Sequence, residues 1–340
     1  MTAPNGLVWF LGALALGCLF LIAGFARRTS RRRPRLTAAL CILALAPWTA
    51  GVWTVFIEPE TLRVREVTIE SETWTGPPLR LGLMSDTHVG SPHMDLARLR
   101  RVIARMNAEQ PDIVLLLGDY AGGDLAAKRR TPADREAVLA GVAAFRALHS
   151  PLGTWAVLGN HDSWFDEAVL ARAFEAAGIP LLQNRSVAVA RSGGAFTLAG
   201  VADMRSRLLQ TSVQEALSAA PEGRPVILMS HWPDPFAETP QRVALTVAGH
   251  SHCGQIDLPL IGRPFSASPG AALWPCGAYR VAGRDLFVTG GLGTSVVPMR
   301  IGAPPEIVIL TLKASPNPVA KSTNARREPT ASLAKLTNTA

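Results

Sequence analysis

Two runs without a single charged side chain open this 340-residue chain, and they restrict what it can fold into more than any other feature. The first, Leu7 to Ala26, reads LVWFLGALALGCLFLIAGFA; the second, Leu36 to Ile57, reads LTAALCILALAPWTAGVWTVFI. A helix needs about 20 apolar residues to cross a hydrocarbon core ~30 Å thick, and both runs have that length. Their internal glycines and Pro47 are compatible with this reading, because membrane helices tolerate such residues better than soluble ones do.

Between the runs lie Arg27, Arg28, Arg31, Arg32, Arg33 and Arg35. No charged side chain precedes the first run, and the segment after the second opens with Glu58 and Glu60. The positive-inside rule then puts the arginine loop in the cytoplasm and both flanks outside. Residues 1–57 read as a membrane anchor of two transmembrane helices, about 7–26 and 36–57, with the arginine-rich loop 27–35 between them. In a bacterium the anchor is multi-pass in the cell (inner) membrane, and the remainder faces the periplasm or exterior. A signal peptide is the alternative for the first run, but there the charges precede the apolar stretch instead of following it. A twin-arginine-like export signal, Ser30 to Leu36 plus the second run, would require the first run to be absent.

The overall charge of +8 divides unevenly along the chain. Residues 57–312 carry 23 Lys+Arg against 25 Asp+Glu, so they lack the basic footprint expected of a nucleic-acid binder. The excess sits in the arginine loop, where it fixes orientation and can meet anionic headgroups, and in the segment from Lys313 onward. Cys18 and Cys41 lie inside the apolar runs. Cys253 and Cys276 lie in the outer part, where export permits a bond between them, although sequence gives no distance.

Beyond the anchor, Leu62 to Ser71 and Leu79 to Met84 read as strands. Leu96, Leu99, Val102, Ile103 and Met106 recur at helical spacing. Ile113 to Leu117 is a buried strand, Pro132 to Leu148 a helix, Trp155 to Leu158 a short strand and Ala168 to Ala177 a helix. The second half is richer in strands: 195–201, 225–229, 243–247, 278–281, 286–288 and 307–312. From Ala314 the composition turns to Ser, Asn, Thr, Pro, Lys and Ala without periodicity, which predicts a disordered tail over 314–340. Strand–helix alternation followed by strand-rich sequence predicts mixed sheets with helices outside, an α/β (α+β) domain over 58–313.

Five polar clusters fall where these strands stop: Asp86-Thr87-His88, Gly118-Asp119, Gly159-Asn160-His161-Asp162, Ser230-His231 and Gly249-His250-Ser251-His252. They hold five of the seven histidines; the others, His93 and His149, read as local structural residues. In an extended backbone, residues two apart point to one side, so Asp86 with His88, and His250 with His252, should aim together. Carboxylate, imidazole and amide oxygen suit Mn, Fe, Zn or Mg, and one ion needs only three or four such groups. Taken singly, an aspartate after a strand is an ordinary turn or cap residue. Five clusters at five successive strand ends exceed that explanation and predict two divalent ions sharing a bridge.

The ordered pattern Asp-x-His, Gly-Asp, Gly-Asn-His-Asp, His, Gly-His-x-His resembles the calcineurin-like metallophosphoesterase superfamily. Within it the chain is most similar to the membrane-associated YkuE/YaeI-like bacterial phosphodiesterases, including the closing stretch Gly291 to Leu312. The resemblance implies a four-layer sandwich of two mixed β sheets flanked by helices. It implies Asp86, His88 and His252 on one metal ion, Asn160, His231 and His250 on a second, and Asp119 bridging. It further implies a catalytic role for His161 at the substrate, with Asp162 orienting or charging it. Cys253 stands where the family often has glycine; this removes no ligand.

The function so implied is metal-dependent hydrolysis of a phosphoric ester, a phosphodiester or a phosphomonoester. The anchor favours a lipid-linked substrate at the bilayer, with Tyr120, Trp164, Trp232 and Trp274 as candidates for an apolar lip. No protein or nucleic-acid partner is expected. The alternatives are a UDP-2,3-diacylglucosamine pyrophosphatase-like hydrolase of lipid A synthesis, a non-catalytic membrane protein and a nuclease. The first needs the domain on the cytoplasmic side, the second a missing ligand, and the third a basic face.

Overall fold

The structure, a computed structural model, describes residues 4–122 and 130–316. Helix α1 (Pro4–Thr29) and helix α2 (Pro34–Val52) lie against each other, with the Trp48 indole donating to Ala15 O at 2.7 Å. Their apolar side chains point outward uncovered; Phe20 is 76% exposed and Ile42 67%. Water would not tolerate such surfaces on a stable helix pair, whereas hydrocarbon is their natural solvent. Both helices are long and apolar enough to cross a membrane, consistent with anchoring. Helix α2 runs on through a wider turn, Trp53–Ile57, and a 3-10 turn, Glu58–Glu60, directly into the following domain.

That domain is built on two mixed sheets. The first has the order β1-β11-β2-β3-β4, from β1 (Arg63–Ser71), β2 (Leu79–Met84), β3 (Ile113–Leu116), β4 (Thr154–Ala156) and β11 (Glu306–Ala314). Strand β11 runs antiparallel to β2, and the other neighbours are parallel. The second has the order β5-β6-β7-β8-β10-β9. It comprises β5 (Arg185–Arg191), β6 (Gly194–Gly200), β7 (Val226–Met229), β8 (Val243–Ala248), β9 (Gly277–Val281) and β10 (Arg284–Val288). Antiparallel hairpins β5/β6 and β9/β10 flank its parallel centre.

The central strands are buried on both faces, which is why β3 and β7 read as unbroken apolar runs and β2 and β8 are interrupted only by Arg80 and Thr246. Leu81, Leu83 and Leu115 of the first sheet meet Ile227, Met229 and Leu245 of the second in one core. On the outer face of the first sheet, α3 (Leu96–Ala108), α4 (Pro132–Ala144) and α6 (Glu167–Ala176) bury Leu99, Val142 and Phe174 against Val114 and Leu116. Asp95 caps α3, and Thr131 with Asp134 forms a capping box on α4. The short α7 (Val213–Ala216) covers Val226 and Leu228 on the far side. Helix, sheet, sheet and helix thus make the four-layer calcineurin-like sandwich. Of the expected tail over 314–340, Ala314 closes β11 and residues 317–340 lie outside the described residues.

Strand β5 escapes the sequence reading because it is an edge strand, with arginine at both ends and only partial burial between. The fold's consequence for function is positional. Strands β2, β3 and β4 of one sheet and β7 and β8 of the other end at the same rim, where the loops that follow them face one another.

Candidate metal centre

Each candidate ligand stands just beyond a buried strand, and the backbone leaves the strand abruptly to reach it. Asp86 (φ 53°), His88 (φ 46°), Asp119 (φ 58°), His250 (φ 66°) and His252 (φ 50°) all occupy the left-handed region. Non-glycine residues rarely adopt it, and its concentration here marks a strained functional site. This backbone therefore lacks the extended geometry that would aim residues two apart to one side. Asp86 and His88 do share a cluster, but His250 and His252 go to different ones: Asp86, His88 and His252 converge, and so do Asp119, His231 and His250. A left-handed turn at both histidines replaces the alternation of a strand.

Two glycines make the approach possible. A Cβ on Gly159 would lie 2.8 Å from His231 Nε2, and one on Gly249 would lie 2.7 Å from Asp86 Oδ2. The spaces those side chains would fill belong to ligand atoms.

Asp119 sits between the clusters. Its Oδ2 lies 3.3 Å from His231 Nε2, 3.7 Å from His88 Nε2 and 3.9 Å from His161 Nε2, and its Oδ1 accepts from the His161 N–H at 2.8 Å. Asn160, at the start of α5 (Asn160–Phe165), puts its Oδ1 3.2 Å from His231 Nε2. His252 Nε2 lies 3.3 Å from Asp86 Oδ1 and 3.1 Å from His88 Nε2. All nine sequence-predicted residues are buried within this one rim.

The donor set fits cations on four observations. Asp86 Oδ1 and His250 Nε2 are buried without a hydrogen-bond partner, a costly state in the absence of a ligand. His88 Nδ1 faces Ala121 O at 3.3 Å and His231 Nδ1 faces Leu117 O at 2.7 Å, an arrangement that commits Nδ1–H to the backbone and turns the Nε2 lone pair inward. Burial, reinforced by neighbouring imidazoles, drives His88 down to about 3 and holds His250 and His252 well below the ordinary histidine range, leaving neutral ligands. Burial raises Asp86 to about 6 against the opposing charge of His231. Burial would lower His231, but the Asp119 carboxylate outweighs it and lifts the imidazole to about 10; Asp119 itself is correspondingly held low. A proton on His231 Nε2 thus occupies the position where a cation would sit. These His/Asp clusters are a binuclear divalent-metal site of the kind catalytic metallophosphoesterases carry.

Supporting groups complete it. Both Asp162 oxygens are taken up by backbone N–H groups of Gly159, Asp119, Tyr120 and Ala121, which ties the second and third ligand loops together. Trp232 stacks on His250 with ring centroids 3.6 Å apart and donates its indole N–H to Asp203 Oδ1 at 2.6 Å. The fully buried Arg300 donates to the carbonyls of Gly290, Gly293 and Ala303, and its Nη2 lies 3.3 Å from His252 Nδ1. Sequence reading misses Asp203 and Arg300, since neither stands in a cluster. The one local sign is an arginine in the largely apolar Gly291–Leu312 stretch, where the one other charged residue is Glu306.

The expected aromatic lip is largely a misreading. Tyr120 packs between Phe145 and Phe174 in the helix-side core, Trp274 packs against Phe236, and Trp232 is spent on His250; Trp164, beside His161, alone is half-exposed. Cys253 and Cys276 are joined in a disulfide, with Cα atoms 4.9 Å apart.

Fold and site together define a metal-dependent phosphoesterase. The chain belongs to the calcineurin-like phosphoesterase family, whose model matches residues 79–254. It is 29% identical over 294 residues to the uncharacterized metallophosphoesterase YkuE of Bacillus subtilis, a match covering 84% of this chain and 98% of that protein. It is 30% identical over 254 residues to a zebrafish (Danio rerio) transmembrane protein with metallophosphoesterase domain, covering 69% of this chain but only 53% of the relative. It is 26% identical over 245 residues to the phosphodiesterase YaeI of Escherichia coli, covering 69% of this chain and 82% of that protein.

Proposed function

We propose that this chain hydrolyses a phosphoric ester carried by a membrane lipid, on the outer side of the membrane that anchors it. The convergence of Asp86, His88 and His252 with Asp119, His231 and His250 around a single buried carboxylate is the observation that carries the hydrolase reading. Asp86, His88 and His252 would hold one ion, Asn160, His231 and His250 the other, with Asp119 between them. When bound, such a pair neutralises phosphoryl oxygens and acidifies a water into a nucleophile.

The chain's own residues do the rest. His161, on the substrate side of Asp119, donates a proton or hydrogen bond to the leaving oxygen. Its backbone is fixed by the Asp119 carboxylate, and Asp162 fixes the loop from which it projects. Trp232 keeps His250 from rotating and shields it from water. A lipid-linked substrate is supported by an anchor that leads without a linker into the domain, so the site never leaves the bilayer's vicinity. The outer location is supported by the arginine loop and by the Cys253–Cys276 disulfide, a bond that persists in oxidising compartments. The same location disfavours a pyrophosphatase acting on a cytoplasmic nucleotide-linked lipid.

In a metal-replete assay of the full chain in detergent with p-nitrophenyl phosphate and bis(p-nitrophenyl) phosphate, Asp119→Ala and Asn160→Ala should each lower turnover by more than about 100-fold. Changes merely adjacent to metal ligands already cost 10–100-fold. Undiminished turnover in folded variants would reject the site.

A further inference from the structure

Three of the four expected lip aromatics are buried, but other apolar side chains are exposed on loops beside the metal centre. Leu260 is fully exposed, Val296 is 85% exposed, and Ile261 and Phe265 are likewise turned to the outside. Leu260 tips a tight turn closed by paired hydrogen bonds between Leu258 and Gly262. Val296 stands at φ 62°, a backbone state costly for a β-branched residue.

These two loops form one surface. Asp257 N–H donates to Ile301 O, Ile301 N–H donates to Gln255 O, and the Gln255 side chain bonds Ser295 N and Val297 O. The surface borders the metal centre, because Gln255 follows His252 by three residues and Ser295 Oγ lies 3.5 Å from His161 Nε2. It is also bonded to the end of the anchor. Arg300 N–H donates to Thr54 O at 3.0 Å, Ala303 N–H donates to Glu58 Oε1 at 2.9 Å, and His93 bridges Glu60 to Pro298 O. Arg98 closes the joint through Pro59 O and Glu60. The loop that carries Val296 is therefore fastened to the turns Trp53–Ile57 and Glu58–Glu60 that continue α2, where the anchor would leave the hydrocarbon.

We infer that Leu260, Ile261, Phe265 and Val296 are a membrane-inserted lip: they dip into the outer leaflet and hold the mouth of the metal centre at headgroup level. Scattered exposed apolar residues are ordinary, but a cluster on two bonded loops that continue an anchoring helix has the bilayer as its occupant. The inference rests on the anchored reading above and deepens it, since it gives a lipid-borne phosphoester a route from the leaflet to the site.

The test uses the full chain in vesicles of phosphatidylethanolamine and phosphatidylglycerol. Leu260→p-benzoylphenylalanine and Val296→p-benzoylphenylalanine are photolysed, and lipid adducts are counted by mass spectrometry. Glu222→p-benzoylphenylalanine is the reference, an exposed position in the turn before β7, at the opposite end of the strand from His231. At least a tenfold excess of lipid adduct at 260 and 296 is expected. Equal yields at all three positions, or adducts at 260 to a second protein chain instead of lipid, would overturn the lip. Hydrolysis of bis(p-nitrophenyl) phosphate by the unmodified chain in the same vesicles reads the metal centre separately, so failure of the phosphoesterase and failure of the lip are told apart.

Discussion

At the residue scale, the site is a problem of where protons sit when no cation does. His231 has its Nδ1–H committed to Leu117 O, and its Nε2 faces both Asp119 Oδ2 and Asn160 Oδ1. With the carboxylate beside it, the ring stays protonated up to about pH 10. A raised histidine pKa stabilises the metal-free fold fully below the ordinary value of about 6.5, and that contribution disappears as pH rises through about 10. A cation needs the same lone pair, so metal uptake must expel this proton. Calorimetric metal titration at pH 8 in two buffers of different ionisation heat should report release of at least one proton. Affinity should rise with pH, and below about pH 6 Asp86 adds a second proton to be displaced. Buffer-independent heats at pH 8 would contradict this account of His231. The ligands themselves were legible in sequence, because a polar group directly after a buried apolar run has little reason to be there except a turn or a site. Their left-handed backbone was not, since Asp and His adopt positive φ more readily than most residues yet still do so in only a small minority of cases. Asp203 and Arg300 were silent for another reason: each acts through a partner far away in the chain, Trp232 and His252.

At the element scale, the strands were easier to read than the loops between them. Strands β3 and β7 are apolar throughout, and β2 and β8 are broken only by Arg80 and Thr246, because both faces are covered, and that signal does not depend on neighbours. The loop from Cys253 to Cys276 has no comparable pattern, and its organisation comes from a bond that sequence only permits. The disulfide fastens the residue after His252 to the approach to β9. Closing a loop of sequence separation 23 is worth about 3 kcal/mol in the chain-entropy account. For a domain of this size that corresponds to roughly 6–12 °C in thermal midpoint. Cys276→Ser should lower the midpoint of the metal-free protein by about that amount, measured by scanning fluorimetry in detergent. The reductant dithiothreitol should do the same to the unmodified chain and nothing to the variant. A variant as stable as its parent would mean that the loop is held by its other contacts, the Leu258–Gly262 turn and the pairing of Ile256 with Ile301.

At the scale of the whole molecule, charge and burial make one argument about sidedness. Six arginines cluster at the junction of α1 and α2, with Arg31, Arg32 and Arg33 in the turn and Arg27, Arg28 and Arg35 on the adjoining helix ends, while the domain after α2 has slightly more acidic than basic groups over residues 57–312. Moving the arginine turn across a bilayer is opposed by the membrane potential and by loss of anionic headgroups on the inner face, whereas the domain meets no such opposition. The domain is also bonded to the exit of α2 through Thr54, Glu58 and Glu60, so its side of the membrane follows from that of the arginine turn. Fusions after Ala314 in a bacterial host should therefore give active alkaline phosphatase and dark green fluorescent protein. Replacing all six arginines by glutamine should weaken or mix that pattern, because the orienting charge is gone while both apolar helices remain. The opposite result, a dark phosphatase and a bright fluorescent protein on the native chain, would put the metal centre in the cytoplasm. There the Cys253–Cys276 bond would face reducing conditions, and a nucleotide-linked lipid would replace an outer-leaflet phosphoester as the substrate within reach of the site.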